Sequence, residues 1–256
     1  MKKRIQKLIR LINIFLFQKK LPSQIVVYFH DIDSKELSAI EDIILFFKNI
    51  EYKFVSVSQI SHNIGTENKM FTFTFDDGFE NWKNVLPIFK KYNIEATFFL
   101  NSIFLTNENK NEFLKNIALE DEAKLISKDD INKLVSNNHE IGAHTHSHFK
   151  LSNLTLDSLE KEIETNLKYL NSFYENVVSF AIPYGMSRYL NKNQLGYLHQ
   201  KFESVCFGEA GMLFNQNSKN IQRYPWQVDL SFYQNLINLS TDTYIFNTLT
   251  KRSGLG

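Results

Sequence analysis

The chain has 256 residues, 43% of them hydrophobic and 14% aromatic, which supplies the core of one large globular domain and argues against disorder. A net charge of +1 offers no global case for a nucleic-acid partner, and only nine glycines argue against a Gly-rich phosphate cradle. Cys206 is the only cysteine, which excludes an internal disulfide and a thiolate-rich structural metal site.

Residues 1–20, MKKRIQKLIRLINIFLFQKK, carry Ile5, Leu8, Ile9, Ile12, Phe15 and Leu16 at helical spacing, with Lys3, Lys7 and Arg10 between them. The stretch is too short for a membrane span, which needs about 20 apolar residues. Arg10 interrupts the apolar part and no small-residue cleavage site follows before Pro22, so it makes a poor signal peptide. Two readings stay open: a basic amphipathic helix resting on an anionic membrane surface, or a helix packed on its own domain. Both place the protein in the cytoplasm, the first as a peripheral protein of the inner membrane face. Residues 21–256 show no repeat and no linker, and read as a single domain.

Beyond that segment the pattern alternates. QIVVYF (24–29) predicts a buried strand, LSAIEDIILFFKNI a helix, KFVSVS a strand and MFTFTF (70–75) another. NWKNVLPIFKKYN predicts a helix starting near Asn84, with Pro87 in its first turn, and EATFFLN a strand. A helical region covers about 108–137, with Ser127 and Asp130 at an N-terminus inside it. HEIGAH reads as a strand, TLDSLEKEIETNLKYLNSFY as an amphipathic helix, VVSFAI as a strand, KNQLGYLHQKF as a helix and SVCFG as a strand. NIQRYPWQVD is mixed, and the end of the chain is helical. Strands separated by helices indicate parallel pairing with helices outside. At this length a closed (β/α) barrel, incomplete or distorted, is preferred over an open doubly wound sheet.

Polar residues gather where these strands end. QIVVYF runs into His30 and Asp31, MFTFTF into Asp76, Asp77 and Gly78, HEIGA into HTHSH, and VVSFAI into Pro183, Tyr184 and Gly185. In parallel α/β folds the C-terminal strand ends form one face, and that face carries the site. His144 and His148 with one carboxylate make a three-ligand set that leaves a position for water, the composition of a catalytic zinc site that Ni2+, Co2+ or Fe2+ also accept. Each feature has a plainer reading: a solvated His-rich loop, and an Asp-Gly turn closing a strand. Their convergence on one face favours a site. With a dication present, one aspartate can ligate it while the other takes a proton from its water, and the ion offsets their repulsion.

TFDDG (74–78), ATFFL (96–100), EIGAHTHSH (140–148) and FAIPYG (180–185) resemble, in order and spacing, the motifs of the polysaccharide deacetylase, or NodB-homology, family, and YFHDI (28–32) extends the likeness. The resemblance implies a distorted (β/α)7 barrel and a metal-dependent hydrolase that removes N-acetyl groups from amino sugars. Carried over by position, Asp76 is the catalytic base, Asp77, His144 and His148 are the metal ligands, and the Tyr184 backbone N–H is an oxyanion donor. His146, at a variable position, is left out of the ligand set and is either exposed, the preferred reading, or in supporting contact behind the ligands. Most members have an arginine where Ala181 stands; FAxPYG is similar to a branch acting on poly-N-acetylglucosamine, in which a YHD-like segment supplies the acid, here His30. Arg223 is a candidate for the missing cation. Pro183, Arg223 and Trp226 are candidate substrate contacts, and Trp226, Tyr224 and Phe79 offer stacking surfaces unless they pack in the core. The expected partner is an N-acetylated amino sugar in a glycan, glycolipid or sugar precursor. A deformylase of a formamido sugar and a catalytically silent sugar-binding domain are the alternatives.

Overall fold

Strict alternation decides which way each strand faces. The computed structural model describes residues 21–106, 110–117, 125–209 and 219–240; the basic helix expected over 1–20 lies outside them. Strand β3 (Met70–Asp76) is buried along its whole length. Its Phe71, Phe73 and Phe75 belong to the large core that includes Ile40, Ile43, Ile44 and Phe47 of helix α1 (Ser34–Asn49) and Phe89 of α3 (Leu86–Tyr92). The ring centroids of Phe47 and Phe71 are 4.5 Å apart, and those of Phe75 and Phe98 4.7 Å apart in a stacked pair. Each such side chain contributes roughly 1.5–3 kcal/mol on burial. Most apolar stabilisation therefore sits between sheet and helices, which leaves Met70, Thr72, Thr74 and Asp76 to face the other way, into the barrel.

Among the described residues every pairing between named strands is parallel. The order is β8-β7-β6-β5-β4-β3-β1-β9, with β2 on the start of β3. The strands are β1 (Gln24–Phe29), β2 (Lys53–Phe54), β4 (Ala96–Leu100), β5 (Glu140–Ala143), β6 (Ser179–Ala181), β7 (Ser204–Phe207), β8 (Asn220–Gln222) and β9 (Tyr224–Pro225). The two ends of this order are neighbours along the chain, separated only by Arg223. Residues 220–222 pair with β7 while Tyr224 and Pro225 pair with β1, so one segment bridges both edges of the sheet. The result is a distorted (β/α) barrel.

Its lower end is stoppered. Val57 and Ile60 of the short helix α2 (Val57–Ser61) cluster with Val26, Met70, Phe99, Ala181, Cys206 and Ile221. The alternating KFVSVS predicts a strand through here, but only Lys53–Phe54 is one. Ser56 and Gln59 form a reciprocal capping box that starts the helix instead. Glu140 is buried at this level with no cation paired to it among the described residues, and three donors satisfy it: Ser58 N–H at 3.0 Å, Thr97 Oγ1 at 2.8 Å and Ser179 Oγ at 2.5 Å. The remaining helices are α4 (Asn111–Asn116), α5 (Lys128–Ser136), α6 (Leu156–Leu170) and α7 (Lys192–Lys201), followed by a helical segment at 232–240. Ser127 caps α5 as expected, accepting from the Asp130 N–H. Among the described residues no helix is long and apolar enough to cross a membrane.

Candidate active site

The upper strand ends carry unusual backbone. Asp77 (φ 84°), Thr145 (66°), His148 (57°) and Tyr184 (60°) all occupy the left-handed region without being glycine. Such residues cost of order 1–3 kcal/mol each and persist only where surrounding bonds over-determine them. Those bonds are present in the 144–148 loop. Asn101 Nδ2 donates to the carbonyls of His144 and Thr145, Asn166 Oδ1 accepts the His144 N–H at 3.3 Å, and Glu162 accepts the Ser147 N–H at 2.8 Å. Thr145 Oγ1 accepts the His148 N–H at 3.0 Å. In the Pro-Tyr-Gly turn, a Cβ on Gly185 would meet Gly208 Cα at 2.6 Å, so glycine is needed for the approach of the two loops.

Within this frame Asp77, His144 and His148 converge. Asp77 Oδ1 lies 3.2 Å from Nε2 of His144 and 3.2 Å from Nε2 of His148, and all three residues are buried. His144 Nδ1 is 2.7 Å from the Ala181 carbonyl. A carbonyl only accepts, so Nδ1 carries a proton and Nε2 is the atom turned toward Asp77. Burial disfavours the protonated ring, but Asp77 and Asp76 more than reverse this and raise the His144 pKa, so a cation bound here would take the place of a proton on Nε2. Burial pushes His148 down to about 4, which keeps it neutral. Burial works against the Asp77 anion, but His148 and His144 outweigh it and hold its carboxyl well below the usual range. Asp77 Oδ1 is nevertheless fully buried without a hydrogen-bond donor. Adjacent corners of a tetrahedron with bonds of about 2.0–2.1 Å are roughly 3.3 Å apart, so this anion and two imidazoles fit a divalent cation in spacing, charge and donor type.

Asp76 faces a different partner. Arg223 grips it with both prongs, Nη1 to Oδ1 at 2.7 Å and Nη2 to Oδ2 at 2.8 Å. Nη1 also reaches Thr74 Oγ1 at 3.1 Å, and the arginine is 1% exposed. Burial alone would raise the Asp76 pKa; the Arg223 charge more than reverses this, so the carboxylate is ionised. Ala181 faces the barrel interior, and the cation expected there arrives instead from the segment between β8 and β9.

A cavity of about 430 Å³ opens above these groups, lined by His30, Asp76, Asp77, His144, His148 and Tyr184, together with Tyr28 and Arg223. The His30 side chain is 52% exposed, with Nε2 4.0 Å from Asp77 Oδ2. The Tyr184 N–H has no acceptor among the described residues. Two expected substrate contacts, Trp226 and Pro183, do not line the cavity. Trp226 is only 6% exposed, packs on Phe232 (5.6 Å) and Tyr224 (6.5 Å), and does not line the cavity. Tyr224 and Phe79 are buried in the same core, so core packing is the reading that holds for all three aromatics. Pro183 is buried in its turn, next to the exposed Tyr184. Arg223 does line the cavity, but its fork is engaged by Asp76 and not left for a ligand. His146 is not exposed: its Nδ1 is 2.8 Å from Ser102 Oγ and its ring stacks on Tyr169. Sequence reasoning missed Tyr28 and Tyr189 as cavity residues. The period-2 alternation that puts Val26 inside the barrel also puts Tyr28 there, so that signal was present.

A family model for polysaccharide deacetylase matches residues 63–199, more than half of the chain, and the protein belongs to that family. Membership places it among carbohydrate deacetylases. Three solved structures share the fold at low identity. The Streptococcus pyogenes deacetylase PplD in complex with acetate is 18% identical, with a TM-score of 0.66 over 86% of this chain and 97% of that one. IcaB from Ammonifex degensii is 16% identical, with 0.65 over 85% and 96%. A de-N-acetylase from Aggregatibacter actinomycetemcomitans is 16% identical, with 0.68 over 84% and 99%. No curated protein sequence gives a significant match.

Proposed function

We propose that the protein is a metal-dependent N-deacetylase of amino sugars, with Asp77, His144 and His148 holding a divalent cation, zinc being the first choice. The observation that carries this is the buried, donorless Asp77 Oδ1 facing two Nε2 atoms at 3.2 Å, next to a second carboxylate kept ionised by Arg223. A cation held there supplies Lewis acidity toward the acetyl carbonyl and lowers the pKa of the attacking water. Asp76 is a weak base because Arg223 depresses its pKa, but it is in the correct state to accept that water's proton. The unengaged Tyr184 N–H is available to the developing oxyanion. His30, at the open rim, donates a proton to the departing nitrogen as the C–N bond breaks. Acetate and a free amine are the products.

The test is acetate release from N-acetylhexosamine oligosaccharides by the zinc-loaded enzyme, the chelated enzyme and Asp76→Asn. Chelation should abolish turnover and zinc should restore it, and Asp76→Asn should lower it by about 10²–10⁴-fold, the usual worth of a general base. Unchanged turnover after chelation, or in Asp76→Asn, defeats the proposal.

A further inference from the structure

The mouth of the cavity is unevenly charged. On one side the rings of Tyr184 and Tyr189 meet edge to face, 6.4 Å apart, and both line the cavity. Tyr184 is 43% exposed, and its ring is 4.9 Å from that of His148. Lys150 Nζ lies 5.3 Å from the Tyr184 centroid and 4.6 Å from that of Tyr189. Arg188 Cζ is 5.2 Å from the Tyr189 ring, and Nη2 donates to its hydroxyl at 3.4 Å. The charge of Glu209 favours Arg188, but its bonding oxygen is taken by the N–H and hydroxyl of Ser187, at 3.1 and 3.0 Å. No carboxylate among the described residues pairs with Lys150 or Arg188. Across the barrel, by contrast, His30 leads into exposed Asp31 and Asp33.

A neutral glycan would need only the tyrosine faces. Two cations beside them with no carboxylate partner among the described residues, Lys150 one tyrosine ring away from His148 and Arg188 one ring further out, match a substrate that is negatively charged next to its acetylated sugar. A phosphoryl group accepts both from an ammonium and from a guanidinium fork. We propose that Lys150, Tyr184, Arg188 and Tyr189 form a subsite for a phosphoryl group, so that the substrate is a phosphate or diphosphate ester of the N-acetylated sugar and not an uncharged polymer. The inference rests on the deacetylase reading of the neighbouring centre.

Binding of N-acetylglucosamine 1-phosphate and of methyl N-acetylglucosaminide to the full chain, measured by calorimetry, tests it. The phosphorylated sugar should bind roughly tenfold tighter or better at low salt, and high salt should shrink the difference because the cations are solvent-exposed. Lys150→Ala/Arg188→Ala should bring the ratio close to one, and Arg188→Glu should invert it. Equal binding of the two sugars, no measurable binding of the phosphorylated one, or a preference that survives the double variant overturns the subsite. Acetate assays on the same sugars separate this from the parent reading. Preferred binding without acetate release condemns the hydrolase and leaves the subsite, whereas equal acetate release without preference does the reverse. Nucleotide-linked and prenyl diphosphate-linked N-acetylglucosamine then serve as two further arms, and the tighter of them names the source of the phosphoryl group.

Discussion

A carboxylate as deeply buried as Asp76 is stable as an anion only with a cation and donors on its oxygens, and Arg223 provides both. Removing one partner of a buried pair leaves an uncompensated charge. Arg223→Ala should therefore cost about 3–5 kcal/mol in denaturation and strip turnover, because Asp76 would then take up a proton. Arg223→Lys keeps the charge as a point that cannot span both oxygens, so it should recover stability better than acetate release. Adding Ala181→Arg to Arg223→Ala should restore part of both, since position 181 faces the same interior. An Arg223→Ala protein that melts like wild type would disprove the pairing's importance.

Elements convert these local needs into geometry. Helix α6 carries an apolar stripe of Leu159, Ile163 and Leu170, and Asn166 stands on that stripe as a buried polar exception. Its amide accepts from His144 N–H and donates to the Leu100 carbonyl at 3.1 Å, tying the 144–148 loop to strand β4. Asn166→Ala should lower zinc affinity about 10–100-fold in chelator competition, the usual effect of losing an outer support of a metal ligand. Unchanged affinity would leave Asn166 a packing residue only. The strands and the polar clusters at their ends were legible because apolar alternation and chain order survive folding unchanged. Asn166 was legible in principle, as a polar break in a helical stripe, but nothing local says which backbone it will meet. KFVSVS misled because alternation outweighs a capping box over so few residues, although Ser56 and Gln59 carried the correction. Trp226 misled because an aromatic residue near a site suits a sugar or a core equally well, and only packing against Phe232 decides. The Arg223 pairing joins residues 147 positions apart, a distance no periodicity reports.

At the scale of the molecule, the aromatic layer outside the barrel adds an acid-sensitive contribution to stability. His139 is 2% exposed and sits edge-on to Phe89 and Phe98, and its Nδ1 has no hydrogen-bond partner. Burial pushes its pKa down to about 4. Above pH 6.5 it is neutral both folded and unfolded, so its contribution is complete there. As the pH falls from 6.5 toward 4 the unfolded chain takes up a proton that the fold refuses, and up to about 3 kcal/mol is lost. Urea denaturation across this window should show a shallower pH slope in His139→Leu than in wild type, whatever the baseline of the variant; identical slopes would acquit His139. The seam at residues 220–225 has a last consequence. Because the stretch that joins the two open edges also delivers the guanidinium to Asp76, a nascent chain that has not yet emerged past this point has neither a finished ring nor a cation beside the Asp76 carboxylate. Product formation on this reading thus requires residues 220–225 to have been made and docked, and it reports that the seam has shut.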